Sequence, residues 1–230
     1  MRSTFVLIHS PLVGPLTWSL VADELQQRNV ETVVPALTDD TGADLPFWRQ
    51  HAEAVARAVA PLPPDRPVAL VGHSGAGPLL PVIGQRIGRP VAAYLFVDAG
   101  IPIDGASRLD LMANEDPEFA RHFREHLTAG GRFPAWTDGD LAAILPDRCL
   151  RRQLIADLRP RALAFFTEPI PVFPGWPDAP CGYLKFSAPY DVPARRAREA
   201  GWPDREIDAG HFHMLIDSPA VAAALLDLVP

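Results

Sequence analysis

Val68-Ala69-Leu70-Val71-Gly72-His73-Ser74-Gly75-Ala76-Gly77-Pro78 is the stretch whose reading decides the fold. Four apolar residues in a row suit a strand buried on both faces. A serine among small residues follows, and Pro78 then opens a helical pattern. So short a strand-to-helix reversal lifts the serine hydroxyl off the end of the sheet. It also crowds its neighbours, so only small side chains fit two residues to either side. Gly72 and Ala76 hold those two places. The Gly75 N–H, at the start of the helix, is free to donate to a developing oxyanion, with the helix dipole adding to the effect. A glycine-rich turn that merely packs closely, or that binds phosphate, is the competing meaning. The stretch has neither the P-loop lysine nor the dinucleotide glycine spacing.

Outward from this turn, short apolar runs alternate with helical segments. That rhythm predicts an α/β fold with a mostly parallel sheet flanked by helices. The strand candidates are 4–9, 31–35, 68–72, 91–97, 182–186 and 205–207. Helices are expected over 17–28, 47–59, 78–87, 194–200 and 219–228, the third capped by Gly88 and the last by Ser218 ahead of Pro219. Between 102 and 176 the rhythm stops. Helices there start at Asp116-Pro117 and around Asp140, with Gly130-Gly131 between them, and prolines 160, 169, 171, 174 and 177 close the stretch. The expected organisation is a core of 1–101 and 177–230 with a helical insertion, 102–176.

A serine hydroxyl needs a base to take its proton. Asp208-Ala209-Gly210-His211-Phe212-His213 follows a short strand and precedes the final helix. It therefore falls at the carboxyl edge of the sheet, where Ser74 also lies. His211 is the expected base, with His213 as competitor; His51, His122 and His126 sit in helical patterns. The imidazole in turn needs a carboxylate. Asp191, beyond the strand 182–186, is favoured because the chain order Ser74, Asp191, His211 suits this architecture. Asp98, one residue past the strand 91–97, is the rival at the same edge.

Composition narrows the partners. The 230 residues are 48% hydrophobic and 21% charged, with a net charge of −7. Such a chain has one well-buried core and lacks the basic face of a nucleic-acid binder. The run Phe5-Val6-Leu7-Ile8 is too short for a secretory signal or a membrane span, and a cytoplasmic location is expected. Cys149 and Cys181 lie far apart without metal-ligand spacing, and reduced thiols are expected, although a bridge between them is open. Neither a metal nor an organic cofactor is implied. The partner is a small-molecule substrate, with no nucleic acid and no membrane, and oligomeric state leaves no sequence signature.

Taken together these residues resemble the α/β-hydrolase superfamily along essentially the whole chain. Gly72–Gly77 is similar to its G-x-S-x-G motif, 188–191 to its G-x-x-D acid loop with alanine for glycine, and Gly210-His211 to its terminal G-H. The opening 6–18 resembles its H-G-x oxyanion segment, most of all in small esterases and hydroxynitrile lyases, where a tryptophan follows as Trp18 does here. The resemblance implies a six-stranded core, a cap over the site at 102–176, and an oxyanion set of Gly75, Leu12 and Ser10. One departure matters. The residue that donates its N–H in the family is here Pro11, which has none. Loss of one oxyanion donor typically costs about two to three orders of magnitude in rate. Either Leu12 donates through a shifted loop, or the Ser10 hydroxyl substitutes, or the chemistry needs no strong oxyanion hole.

The expected function is therefore a serine hydrolase cleaving a small ester, thioester or lactone. The alternative is a non-hydrolytic enzyme, a lyase, cyclase or dehydratase, using Ser74 and His211 as acid-base groups. A silent binding module on the same fold comes third. Phe119, Phe123, Phe133, Trp136, Phe165, Phe166 and Phe173 are available in the insertion either to line a pocket or to form its own core.

Overall fold

The computed structural model describes residues 3–40 and 42–229. Its six strands are β1 (Thr4–Ile8), β2 (Thr32–Val33), β3 (Val68–His73), β4 (Val91–Val97), β5 (Cys181–Lys185) and β6 (Asp204–Glu206). They pair in the order β2-β1-β3-β4-β5-β6, every pair parallel. The six-stranded, mostly parallel sheet expected from the sequence is therefore present. Strand β2 is shorter than the expected 31–35, and β6 starts one residue earlier than expected.

Side chains alternate across each strand, so the apolar runs feed two cores at once. Phe5, Leu7, Ala69, Val71, Leu95, Val97 and Leu184 face helices α1 (Leu16–Gln27) and α10 (Ser218–Leu228) through Trp18, Val21, Leu25, Val221 and Leu225. On the other face Val6, Ile8, Val68, Leu70, Tyr94, Phe96 and Tyr183 meet α2 (Phe47–Val59), α3 (Leu80–Arg86) and α9 (Asp191–Glu199). Complete burial of such a side chain contributes about 1.5–3 kcal/mol. This is why α1 and α2 persist without any side-chain cap. Helix α10 begins one residue before the expected position, and Asp217, not Ser218, caps it by accepting from the Ala220 N–H at 3.1 Å.

Between β4 and β5 the chain contributes no strand to the sheet. It forms α4 (Arg108–Glu115), α5 (Pro117–Thr128), α6 (Asp138–Leu141), α7 (Arg148–Ala156) and α8 (Leu163–Thr167). Leu109, Ala120, Phe123, Leu127, Phe165 and Phe166 make a third, smaller core that reaches the main body at Leu12. With less area to bury, α4 to α7 lean on their caps. Ser107 with Asp110, Asp116, Thr137 with Asp140, and Asp147 each accept from a first-turn N–H. The expected starts at Asp116 and near Asp140 are there; α4, α7 and α8 are additional.

Candidate active site

Strand β3 ends at His73 and Ser74 takes a left-handed conformation, with φ 56°. An L-residue pays for such a conformation in strain, and the surroundings hold it there. A Cβ at Gly72 would meet Leu80 Cδ2 at 3.0 Å and the Ala76 carbonyl carbon at 3.2 Å. A Cβ at Gly77 would meet the Gly100 oxygen at 2.5 Å. The turn thus admits only small residues. It continues as a 3-10 turn over Ser74–Leu79 before α3, so the α-helix begins two residues later than Pro78. Ser74 and Gly75 are half-buried and face a cavity of about 530 Å³.

His211 lies after β6 on the same wall. Its Nδ1 donates to Asp98 Oδ2 at 2.7 Å, which leaves the Nε2 lone pair to accept a proton. The favoured acid of the sequence reading, Asp191, is not the residue brought to His211. Ala188, Pro189 and Tyr190 form a 3-10 turn that carries Asp191 into the first turn of α9, where its Oδ1 pairs with Lys185 Nζ at 2.7 Å. Asp98, the rival, sits one residue past β4 with φ 43° and no exposed surface. It also accepts from the Phe186 N–H at 2.8 Å, the Ser187 N–H at 3.0 Å and the Ser187 hydroxyl at 2.6 Å. The loop after β5 thus serves the carboxylate instead of supplying it. His213, the competing base, packs edge-on against Phe186.

The loop after β1 carries Ser10, Pro11 and Leu12 to the opposite side of Ser74, all three lining the cavity. A Cβ on Gly75 would lie 3.1 Å from Ser10 Oγ, so the loop and the turn are in contact. The loop's carbonyls are all engaged. Ser10 O accepts from His9 Nδ1 at 2.8 Å and from the Val13 N–H at 3.1 Å. Pro11 O accepts from Arg161 Nη2 at 3.2 Å, and Leu12 O from the Arg159 N–H at 2.9 Å. The Leu12 N–H makes only a long contact, 3.4 Å, to Ser10 Oγ. It is therefore the donor most readily given up to a ligand. His9 also accepts from the Leu37 N–H through Nε2 at 3.1 Å, and burial pushes its pKa down to about 4. Neutral His9 keeps both bonds; a protonated ring would turn its acceptor into a donor facing another donor.

Tyr190 was not singled out from the sequence, and it touches the nucleophile. Its hydroxyl and Ser74 Oγ are 3.2 Å apart, and its ring stacks on His211 with centroids 5.1 Å apart and planes 5° from parallel. Among the described residues this is the hydrogen bond that Ser74 makes at rest; the Ser74–His211 bond is not formed. Bonds of that kind often tighten only when a ligand is bound. Burial raises the Tyr190 pKa, so the phenol stays protonated. His73, wholly buried beside His211 with centroids 4.4 Å apart, is kept neutral by desolvation and donates to the His211 carbonyl at 3.0 Å. It braces the base from behind.

The remaining cavity wall is largely apolar. Phe119, Phe133, Trp136 and Phe166 line it from the insertion, whereas Phe123, Phe165 and Phe173 do not. Its charged members are buried Arg108, exposed Asp116 and Glu115, a half-buried carboxyl pushed up to about 7 by desolvation, with Arg196 opposing the shift.

Comparisons with known proteins agree with this fold. Over 107 residues the chain is 28% identical to Methylesterase 1 of Arabidopsis thaliana, a match spanning 44% of this chain and 41% of that protein. In fold it is similar to an extracellular alpha/beta-hydrolase from a Paenibacillus species, with a TM-score of 0.77 at 17% identity and 99% of both chains covered. Polyneuridine aldehyde esterase superposes with a TM-score of 0.72 at 17% identity, all of both chains covered. The model of the alpha/beta hydrolase family matches residues 5–225, so the chain belongs to that family.

Proposed function

We propose that the protein is a serine hydrolase that cleaves a small ester, thioester or lactone, with Ser74 as nucleophile, His211 as base and Asp98 as the acid behind it. The observation that carries this reading is the 2.7 Å bond from His211 Nδ1 to Asp98, on the cavity wall that also holds Ser74. A carboxylate there fixes the imidazole tautomer and stabilises the imidazolium that forms when Nε2 takes a proton.

A change of the Ser74 rotamer moves Oγ from Tyr190 towards His211 Nε2. Ser74 Oγ then attacks the carbonyl carbon as its proton passes to His211. The N–H groups of Gly75 and Leu12 receive the oxyanion, so Pro11 is bypassed by one residue and Ser10 Oγ loses only a 3.4 Å contact. Collapse of the intermediate expels the alcohol or thiol, which takes the proton from His211. Water, deprotonated by the same nitrogen, then releases the acid and restores Ser74. The largely apolar wall favours a hydrocarbon substituent, and about 530 Å³ is room for a small molecule. The insertion 102–176 acts as the cap that closes this space. The esterase names of the relatives fit an ester substrate. Among the described residues no helix is long and apolar enough to cross a membrane.

The test is covalent. A fluorophosphonate is expected to label the wild-type protein at Ser74, and Ser74→Ala is expected to abolish both labelling and hydrolysis of short p-nitrophenyl esters. A second reading, acid-base chemistry without an acyl-enzyme, draws on the Ser74–Tyr190 bond and on Pro11. Covalent catalysis is wrong if Ser74→Ala keeps most of its activity on the true substrate.

A further inference from the structure

We propose that Arg161, although outside the reacting centre, is a positioning residue for the oxyanion donor: it grips the Pro11 carbonyl and thereby fixes the N–H of Leu12. The proposal rests on the hydrolase reading above. The Pro11 C=O and the Leu12 N–H belong to one planar peptide group and point in opposite directions. Whatever holds the oxygen aims the N–H, and a cation on the oxygen also polarises the peptide and strengthens its N–H as a donor.

The grip is built, not incidental. Arg161 is only 8% exposed, and its guanidinium is held in a fork by Asp39, Nη2 to Oδ1 at 2.7 Å and Nη1 to Oδ2 at 2.5 Å. His51 Nε2 reaches the same Asp39 Oδ1 at 3.4 Å. Burial alone would raise the Asp39 pKa, but the bonds from His51 and Arg161 hold the carboxyl well below its usual range, so the counter-charge is permanent. The Arg161 backbone is anchored as well, exchanging two hydrogen bonds with Phe133 on the cavity wall (2.8 and 3.0 Å). Arg159 secures the next peptide through the Leu12 carbonyl. Insertion and donor loop are thus mechanically one piece. This answers the absence of an N–H at Pro11: the chain moves the donor one residue along and clamps it there.

A purely structural Arg161 would affect stability and substrate affinity alike. A positioning Arg161 acts on the transition state alone, and the experiment separates the two. Arg161→Lys keeps a cation that cannot fork onto Asp39 while also reaching Pro11. The double variant Asp39→Asn/Arg161→Met removes the grip without stranding a buried carboxylate. For both, kcat on a short p-nitrophenyl ester is expected to fall about 10- to 100-fold, less than the roughly 10²–10³ for deleting a donor outright. KM should stay within about threefold. The affinity of a trifluoromethyl ketone, to whose carbonyl carbon Ser74 Oγ adds to leave an oxyanion, should fall by the same factor as kcat. The inference is overturned if kcat stays within about threefold of wild type in a folded variant, or falls without a matching loss of inhibitor affinity. Should the double variant not fold, Arg161→Lys alone decides. A wild-type protein that neither reacts with fluorophosphonate nor turns over esters would sink the hydrolase reading instead, before any variant is compared.

Discussion

The loops after β4 and β5 leave one edge of the sheet side by side, and each places an aspartate close to its strand end. Their fates differ completely. Asp98 has no exposed surface and receives four hydrogen bonds, one of them from His211. Asp191 has a side chain 61% exposed and shares Lys185 with Glu206. Strand β4 is flanked by β3 and β5, so a carboxylate at its end is walled in by neighbouring loops. Strand β5 borders the three-residue edge strand β6, where solvent reaches. Position in the sheet sets how far a carboxylate is desolvated and how many fixed donors meet it, and those two quantities make it useful to an imidazole.

The largest test of this contrast is Asp98→Asn. The amide keeps the shape but can present an N–H to His211 Nδ1, favouring the tautomer whose Nε2 is already protonated. A fall in kcat of about 10⁴-fold is expected, with the fold intact by circular dichroism. Equal activity in wild type and Asp98→Asn would return the role to another carboxylate. Ser187→Ala probes the donors instead. Its hydroxyl bonds the same Asp98 oxygen that His211 uses. A bond to a charged group contributes about 2 kcal/mol, equivalent to roughly 4–8 °C in the melting temperature of a chain this size. Thermal melting should show that drop, with kcat lowered about tenfold as the carboxylate loosens.

The turn around Ser74 was legible because backbone sterics allow few residues there, and Gly72, Ala76 and Gly77 answer a local demand. His211 was legible for a similar reason, standing after Gly210 in the last strand-to-helix loop. The acid was not. Both candidates satisfy the rule that polar residues gather at carboxyl strand ends, and the deciding fact is a bend. Ala188 and Pro189 turn the chain tightly enough to send Asp191 into α9 and to bring Tyr190 inward. The helices of the insertion were half legible: Asp116-Pro117 is a plain start signal, and Ser107 with Asp110 and the cap Asp147 would have marked α4 and α7. The clamp of Asp39 and Arg161 on Pro11 joins residues more than a hundred positions apart, and no local pattern announces such a contact.

A smaller effect is expected at Tyr190, the residue the bend delivers. Tyr190→Phe keeps the ring stacked on His211 and removes one neutral hydrogen bond to Ser74. Such a bond is worth about 1 kcal/mol and is broken before Oγ attacks, so steady-state kinetics should show kcat unchanged or raised by no more than about fivefold. A loss of a thousandfold or more would mean that the phenol carries a proton in the reaction, and would favour the acid-base reading over the acyl-enzyme.

The smallest effect belongs to Asp191→Asn, and it is the sharpest statement of the contrast. The substitution removes a charge at the end of the resemblance's acid loop, so a catalytic Asp191 would cost several orders of magnitude. In the structure the carboxylate faces solvent, begins a helix, and pairs with a lysine that Glu206 also holds at 2.7 Å. An exposed pair of this kind contributes roughly 0–1 kcal/mol, and Glu206 retains Lys185 when Asp191 is neutralised. Activity within about twofold of wild type and a melting temperature lower by no more than about 4 °C are therefore expected. Measured beside Asp98→Asn under the same conditions, the two aspartates should differ by more than a thousandfold in kcat, although they stand one strand apart on one edge.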